Sequence, residues 1–334
     1  IPQYDEGFAL LSYSREVPGK LVDAYRQVDC EDSDVLHTPN MVDLHHGRNI
    51  KSPMVTLGTL HMKKHETFTI VSQAMQIAMG NIDVGIDTAP TYGNEREVGA
   101  ALENNAIAVT IKVPKRVTNA EQARKEVEQS LSLLKCSKVD MILLHWPCDL
   151  IKVDTLSSVW KELEAMKREG LCHRIGVSNF STTALKQLIS CSVIKPALNQ
   201  VERHPLLPQY DLIDYCDSED ITVQAHSPLG GGSKLLLAND TIVRVAEESK
   251  MSPAQVLLCW NLQQSIPVAV KCSSAVHWKE AVALLQNKSK LRLRPEQMKA
   301  IDNLSASGET HRFVAPPFMY CRGANYSWGD MPPG

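Results

Sequence analysis

Eight short runs of apolar and β-branched residues recur along the chain, each separated from the next by an amphipathic stretch. They are Met54 to Gly58, Val84 to Asp87, Ala108 to Lys112, Met141 to His145, Ile175 to Ser178, Ala197 to Gln200, Ile221 to Ala225 and Pro267 to Lys271. Nearly continuous apolar runs suit parallel strands covered on both faces, since side chains pointing either way are then buried. Strand and helix alternating eight times over about 250 residues predict an α/β fold of the (β/α)8 TIM-barrel type. A doubly wound open sheet is the competing architecture. It loses its main support because no G-x-G-x-x-G follows the first run.

The intervening segments carry helix signals. Ala123, Val127, Leu131 and Leu134 form one stripe between Thr118 and Leu134, and Thr118 with Glu121 reads as a capping box. Val159, Leu163 and Met166 form the next stripe, with Gly170 as its stop. Ser252-Pro253-Ala254-Gln255 combines a cap, a first-turn proline and a capping-box partner. Residues 1–43 fall outside the repeat, are polar, and are expected to form an irregular N-terminal extension. Residues 44–334 form the barrel domain, and its segment 305–334 reads as a long C-terminal loop and tail.

Composition narrows the function classes. Lys+Arg 35 against Asp+Glu 38 gives a net charge of −3, so no broad attraction to nucleic acid or anionic lipid is expected. No apolar run approaches the roughly 20 residues that a membrane helix needs. The opening Ile1-Pro2-Gln3-Tyr4-Asp5 lacks a secretory pattern and an initiator Met, so the sequence is read as processed, trimmed or a fragment. Nine dispersed cysteines without a C-x-x-C favour reduced thiols, and the expected location is cytoplasmic, with organelle import left open. His61 and His65 have the i, i+4 spacing of a helical metal pair, but no third ligand stands nearby and Lys63 and Lys64 intervene. No metal is expected.

Chemistry in a barrel of this kind sits at the C-terminal strand ends. Those ends carry Asp87, Lys112, His145, Ser178-Asn179, Gln200, Ser227 and Lys271. Burying an unpaired charge costs several kcal/mol, so such groups must pair with one another or face a ligand.

These ends lie in motifs. Gly85 to Glu95 reads GIDTAPTYGNE, Ile111 to Val113 reads IKV, and Leu144 to Pro147 reads LHWP. Ile175 to Phe180 reads IGVSNF, Asn199 to Glu202 reads NQVE, and Ser227 to Gly230 reads SPLG. In this order, from about residue 44 to about 305, the sequence resembles the aldo-keto reductases. The resemblance implies a catalytic tetrad of Asp87, Tyr92, Lys112 and His145.

The residue types suit carbonyl reduction. No side chain donates hydride, so a cofactor is required. Tyr92 is the candidate acid; its unperturbed pKa of about 10 is expected to be lowered by the Lys112 ammonium. Asp87 would hold Lys112, and His145 would orient the substrate oxygen. The alternative reading is a non-catalytic binding or structural subunit on the same barrel, with Asp87 and Lys112 a buried ion pair only.

The resemblance also places the nicotinamide carboxamide on Ser178, Asn179 and Gln200, whose neutral donors and acceptors suit an amide. His226 stands where the family stacks a tyrosine on the nicotinamide ring. Ser227 and Leu229 belong to the following segment, whose glycines 230 to 232 let backbone approach a pyrophosphate. Lys271, with Ser274, His277 and Glu280, occupies the adenosine 2′-phosphate position. His277 replaces the family's arginine, a better phosphate clamp. NADP(H) is therefore expected over NAD(H) by a reduced margin, with NAD(H) the second cofactor. The expected substrate is a small-molecule carbonyl compound in a pocket lined by Leu60, Trp146 and Tyr92. Leu60 and Pro114 stand where the family has tryptophans, which implies a wider, less aromatic pocket. Arg312 is either an attractor of anionic substrate or a solvated tail charge. The additions at the two ends are the expected places for a protein partner.

Overall fold

In the computed structural model, the structure describes residues 49–78, 83–102, 107–147, 155–287, 291–306 and 310–314. The extension read over 1–43 and the tail aromatics Phe318, Tyr320, Tyr326 and Trp328 lie outside the described residues.

All eight apolar runs are strands: β1 (Val55–Gly58), β2 (Val84–Asp87), β3 (Ala108–Val113), β4 (Val139–Leu144), β5 (Cys172–Ser178), β6 (Leu198–Glu202), β7 (Thr222–His226) and β8 (Val268–Val270). Each pairs in parallel with the next, and β1 pairs with β8, closing the barrel. The described helices are α1 (Lys64–Ala78), α2 (Glu95–Leu102), α3 (Ala120–Leu134), α4 (Leu156–Arg168), α5 (Thr182–Cys191), α6 (Tyr210–Ser218), α7 (Lys234–Leu237), α8 (Asp240–Ser249), α9 (Pro253–Gln263), α10 (Ala275–Gln286) and α11 (Pro295–Asp302). The closed order 1 to 8 excludes the open-sheet alternative.

Register fixes which side chains share the barrel interior, because paired residues of adjacent parallel strands point the same way. Lys112 pairs with Leu143 and Leu143 with Gly176. Ser178 pairs with Gln200, and Gln200 with Gln224. Met141, Leu143 and Leu198 form a buried apolar cluster of their own. A Cβ at Gly176 would come within 2.8 Å of Leu143 and 2.7 Å of the Leu198 carbonyl, so only glycine fits there. Apolar and small residues thus fill the interior below the polar C-terminal ends.

The helices bury the expected stripes, including Ala123, Val127, Leu131 and Leu134 of α3. Its start differs by one residue from the reading. Asn119 is the cap, accepting from the Gln122 amide at 2.9 Å, while Gln122 Oε1 accepts from the Thr118 amide. An asparagine carbonyl reaches the free N–H groups as well as a threonine hydroxyl does, and the local sequence does not rank the two. The capping box at Ser252 and Gln255 is present in both directions. Gly170, at φ +82°, follows α4 as its stop.

Candidate active site

The end of β2 supplies Asp87 and the end of β3 supplies Lys112; both are 3% exposed and form an ion pair. Tyr92 enters from the short turn Pro90–Tyr92 just after β2, which ends on Gly93 in the left-handed region. Lys112 Nζ donates to the Tyr92 hydroxyl at 2.9 Å. His145 follows β4, its ring edge-on to Tyr92 with centroids 5.9 Å apart. Trp146 stacks loosely against His145 at 6.5 Å. The structure therefore brings together all four tetrad positions. Leu60, in the turn after β1, is 40% exposed.

The electrostatics differ from the expectation in one respect. Burial raises the Tyr92 pKa, Lys112 lowers it, Asp87 raises it again, and the net direction is upward. The expected depression does not prevail, because depth outweighs the neighbouring ammonium. Burial acts against the Lys112 charge, but Asp87 and Tyr92 outweigh it and its pKa ends above the ordinary value. Burial, then Lys112, His226 and Lys115, hold His145 well below the usual histidine range, so its imidazole is neutral.

A second group lines the ends of β5, β6 and β7. The Ser178 hydroxyl donates to the Gln200 carbonyl at 2.9 Å. Asn179 Nδ2 donates to the His145 carbonyl at 3.0 Å and to Ser178 Oγ at 3.1 Å. Gln200 Nε2 donates to Asp87 Oδ2 and to Gln224 Oε1, both at 2.8 Å, and Gln224 Nε2 reaches Thr56 Oγ1 at 3.3 Å. His226 bridges Asn179 Oδ1 at 2.9 Å and Ser227 Oγ at 3.2 Å. Asn179 and Ser227 both have left-handed backbone, at φ +64° and +50°. Sequence reasoning missed Gln224 and Thr56. The available signal was Gln224 two residues before His226 in an apolar strand, hence on the same face.

Past β7, Leu229 packs against the main core, while a Cβ at Gly231 or Gly232 would meet nothing. Their φ values of +67° and +88° are those that favour glycine. Lys271 and His277 are exposed at the mouth of β8 and the start of α10. Ser274 caps α10 by accepting from the His277 amide, and Ser273 Oγ lies 3.2 Å from His277 Nδ1. The Glu280 side chain accepts from Ser252 Oγ at 3.4 Å, tying α10 to the start of α9. A neutral amide-and-hydroxyl wall, an open glycine turn and an exposed lysine fit a nicotinamide dinucleotide.

Arg312 has neither of the roles read for it. Its side chain is 8% exposed and pairs with the fully buried Glu202 at 3.3 Å. Glu202 also accepts from the amides of Phe313, at 2.6 Å, and Val314, and lies 3.1 Å from His204. Phe313 lies against His204 and beneath Gly230, where a Cβ would be 2.6 Å from its ring. The segment 311–314 is thus moored across the ends of β6 and β7. His61 does not share a helical face with His65, because it sits in a left-handed turn before α1 begins. Among the described residues no group of three or more metal-ligating side chains forms, and no helix is long and apolar enough to cross a membrane.

A closed parallel barrel with a Tyr-Lys-Asp-His cluster at its C-terminal mouth defines an oxidoreductase-like class of site. The sequence profile of the Aldo/keto reductase family matches residues 54–306, and the chain belongs to that family. It is 33% identical to D-galacturonate reductase of Hypocrea jecorina, over 80% of this chain and 93% of that protein. It is 31% identical to glycerol 2-dehydrogenase (NADP(+)) of Saccharomyces cerevisiae, over 79% of this chain and 91% of that one. Among solved structures, a variant of Gox0644 in complex with NADPH is 28% identical and superposes with a TM-score of 0.69, over 75% of this chain and 89% of that one.

Proposed function

We propose that this protein reduces an aldehyde or ketone to the alcohol with NADP(H), with Tyr92 as general acid. The observation that carries the reading is the hydrogen bond from Lys112 Nζ to the Tyr92 hydroxyl, with Lys112 itself paired to Asp87. A bound dihydronicotinamide supplies hydride, and the chain must supply a proton to the carbonyl oxygen. The raised pKa keeps Tyr92 protonated through neutral pH. Once its proton has left, Lys112 stabilises the phenolate through the bond it already makes. His145, being neutral, orients the carbonyl by hydrogen bonding and does not compete as the acid.

Ser178, Asn179 and Gln200 would hold the carboxamide, His226 would present a ring edge or face beside it, and Ser227 and Leu229 would lead into the pyrophosphate turn. Lys271, Ser274 and His277 support NADP(H) over NAD(H), because an exposed ammonium and a helix start attract a phosphate dianion. The substrate is a small-molecule carbonyl compound entering past Leu60 and Trp146, as the names of the fungal relatives also favour. Oxidation of NADPH with a nitrobenzaldehyde, compared between the parent and Tyr92→Phe, is the test. A fall of about 10²–10⁴-fold is expected for loss of a general acid. Equal rates would favour a non-catalytic barrel.

A further inference from the structure

Strand β7 contributes two side chains, Gln224 and His226, that touch neither Tyr92 nor Lys112 in any hydrogen bond described above. Both point into the barrel, two residues apart. Each is bonded to a different amide of the wall: Gln224 Oε1 accepts from Gln200 Nε2 at 2.8 Å, and His226 Nε2 meets Asn179 Oδ1 at 2.9 Å. An amide side chain can present its oxygen or its nitrogen to a ligand, and which one it presents is decided by the partners that hold its other end.

Here those partners leave no choice. The nitrogen of Gln200 is committed to the acceptors Asp87 Oδ2 and Gln224 Oε1. The nitrogen of Asn179 is committed to the His145 carbonyl and Ser178 Oγ, so Asn179 Oδ1 must accept and His226 Nε2 must carry the proton. His226 Nδ1 then accepts from the Ser227 hydroxyl. A ring with one donating and one accepting nitrogen is a neutral imidazole in a single tautomer.

We infer that Gln224 and His226 are positioning residues that hold the Gln200 and Asn179 amides in the direction set by Asp87 and the His145 carbonyl, and so keep this wall arranged to receive the carboxamide of a nicotinamide ring. The inference rests on the reading that Ser178, Asn179 and Gln200 hold that carboxamide. It assigns β7 a role distinct from ring stacking. It also gives the His226 imidazole a use for both nitrogens that a phenylalanine ring lacks.

The test measures binding of two probes to the whole chain, NADPH and 2′-phospho-ADP-ribose, which has every part of the cofactor except the nicotinamide. His226→Phe keeps a ring and removes both nitrogens; Gln224→Leu removes the acceptor at similar length. Each is expected to weaken NADPH roughly fivefold to tenfold, the worth of about one hydrogen bond, and to leave 2′-phospho-ADP-ribose within about twofold. His226→Gln, which can still donate to Asn179, should recover most of the loss. Equal weakening of both probes would show a structural role only, and no weakening of either would show no role; both results overturn the inference. Asn179→Gly, which suits the left-handed backbone at that position, tests the underlying reading separately. If it weakens NADPH selectively while His226→Phe and Gln224→Leu do not, the carboxamide reading stands and the inference falls. If it is not selective either, the carboxamide reading itself fails. Heteronuclear NMR of the free protein supplies a readout without any cofactor. The His226 ring should show the proton on Nε2, and a proton on Nδ1 would overturn the assignment.

Discussion

Lys112 reaches the Tyr92 hydroxyl across 2.9 Å from the neighbouring barrel strand, although twenty residues separate the two in sequence. Under the proposed mechanism, that contact lets the ammonium serve two anions in turn, the Asp87 carboxylate at rest and the phenolate after proton transfer. Removing Lys112 should therefore affect both stability and activity. Lys112→Met leaves Asp87 buried with Gln200 as its remaining described partner, and is expected to cost about 3–5 kcal/mol of stability. The double change Lys112→Met with Asp87→Asn should recover most of that stability in urea titrations while carbonyl reduction stays lost. Recovery of activity in the double variant would contradict the role given to Lys112.

Acid should loosen the fold through the buried His204 and the half-buried His145 and His226. Burial pushes His226 down to about 3, and holds His145 and His204 below the usual range. In the unfolded chain these rings take up protons near pH 6.5. Between that pH and the folded values, unfolding binds protons, so stability is full above about pH 6.5 and falls as pH drops. Each ring contributes up to about 1.4 kcal/mol per pH unit in that window. Glu202 adds in the same direction at lower pH, because the hydrogen bonds from His204 and Phe313 outweigh its burial and leave its pKa lowered. Urea midpoints measured at about pH 7.5 and about pH 5 should differ clearly, with the lower value in acid. A flat profile would show that these rings are hydrated in the native state.

Cofactor choice should respond to position 277. His277 is exposed and bonded only weakly to Ser273. His277→Arg offers a planar fork for a phosphate and should raise the preference for NADPH over NADH about tenfold. Lys271→Ala should erase most of the preference. Titration of both cofactors, read by fluorescence, checks the pair; a preference for NADH in the parent protein would refute the NADP(H) assignment.

The mooring of the C-terminal segment is expected to be a stability element. Arg312→Ala leaves Glu202 fully buried with His204 and two backbone amides, so the cost should be about 3 kcal/mol, the low end for breaking a buried pair. Thermal unfolding of the variant measures it. An unchanged midpoint would mean that the backbone amides alone satisfy the carboxylate.

The barrel strands are legible in the sequence because both faces of each are covered, which leaves nearly unbroken apolar runs such as Met141 to Leu144. Periodicity does not show that β1 meets β8; that pairing joins residues over two hundred positions apart, Val55 with Val268. The tetrad positions were legible through motifs lying next to strand ends. The partners of Gln200 were not, since its bond to Asp87 spans 113 residues. Arg312 was misread for the same reason: its partner Glu202 lies 110 residues away, and nothing local distinguishes a moored arginine from a solvated one. The direction of the Tyr92 shift was missed because composition names its neighbours but not its depth.

Thr56, Gln224, Gln200, Asp87, Lys112 and Tyr92 are joined in one unbroken chain of contacts from β1 to the phenol. A molecule that engages the Gln200 amide is expected to alter, through this chain, the proton affinity at the far end. Thermodynamic reciprocity then obliges titration of that phenol to alter, by the same factor, how tightly the molecule is held.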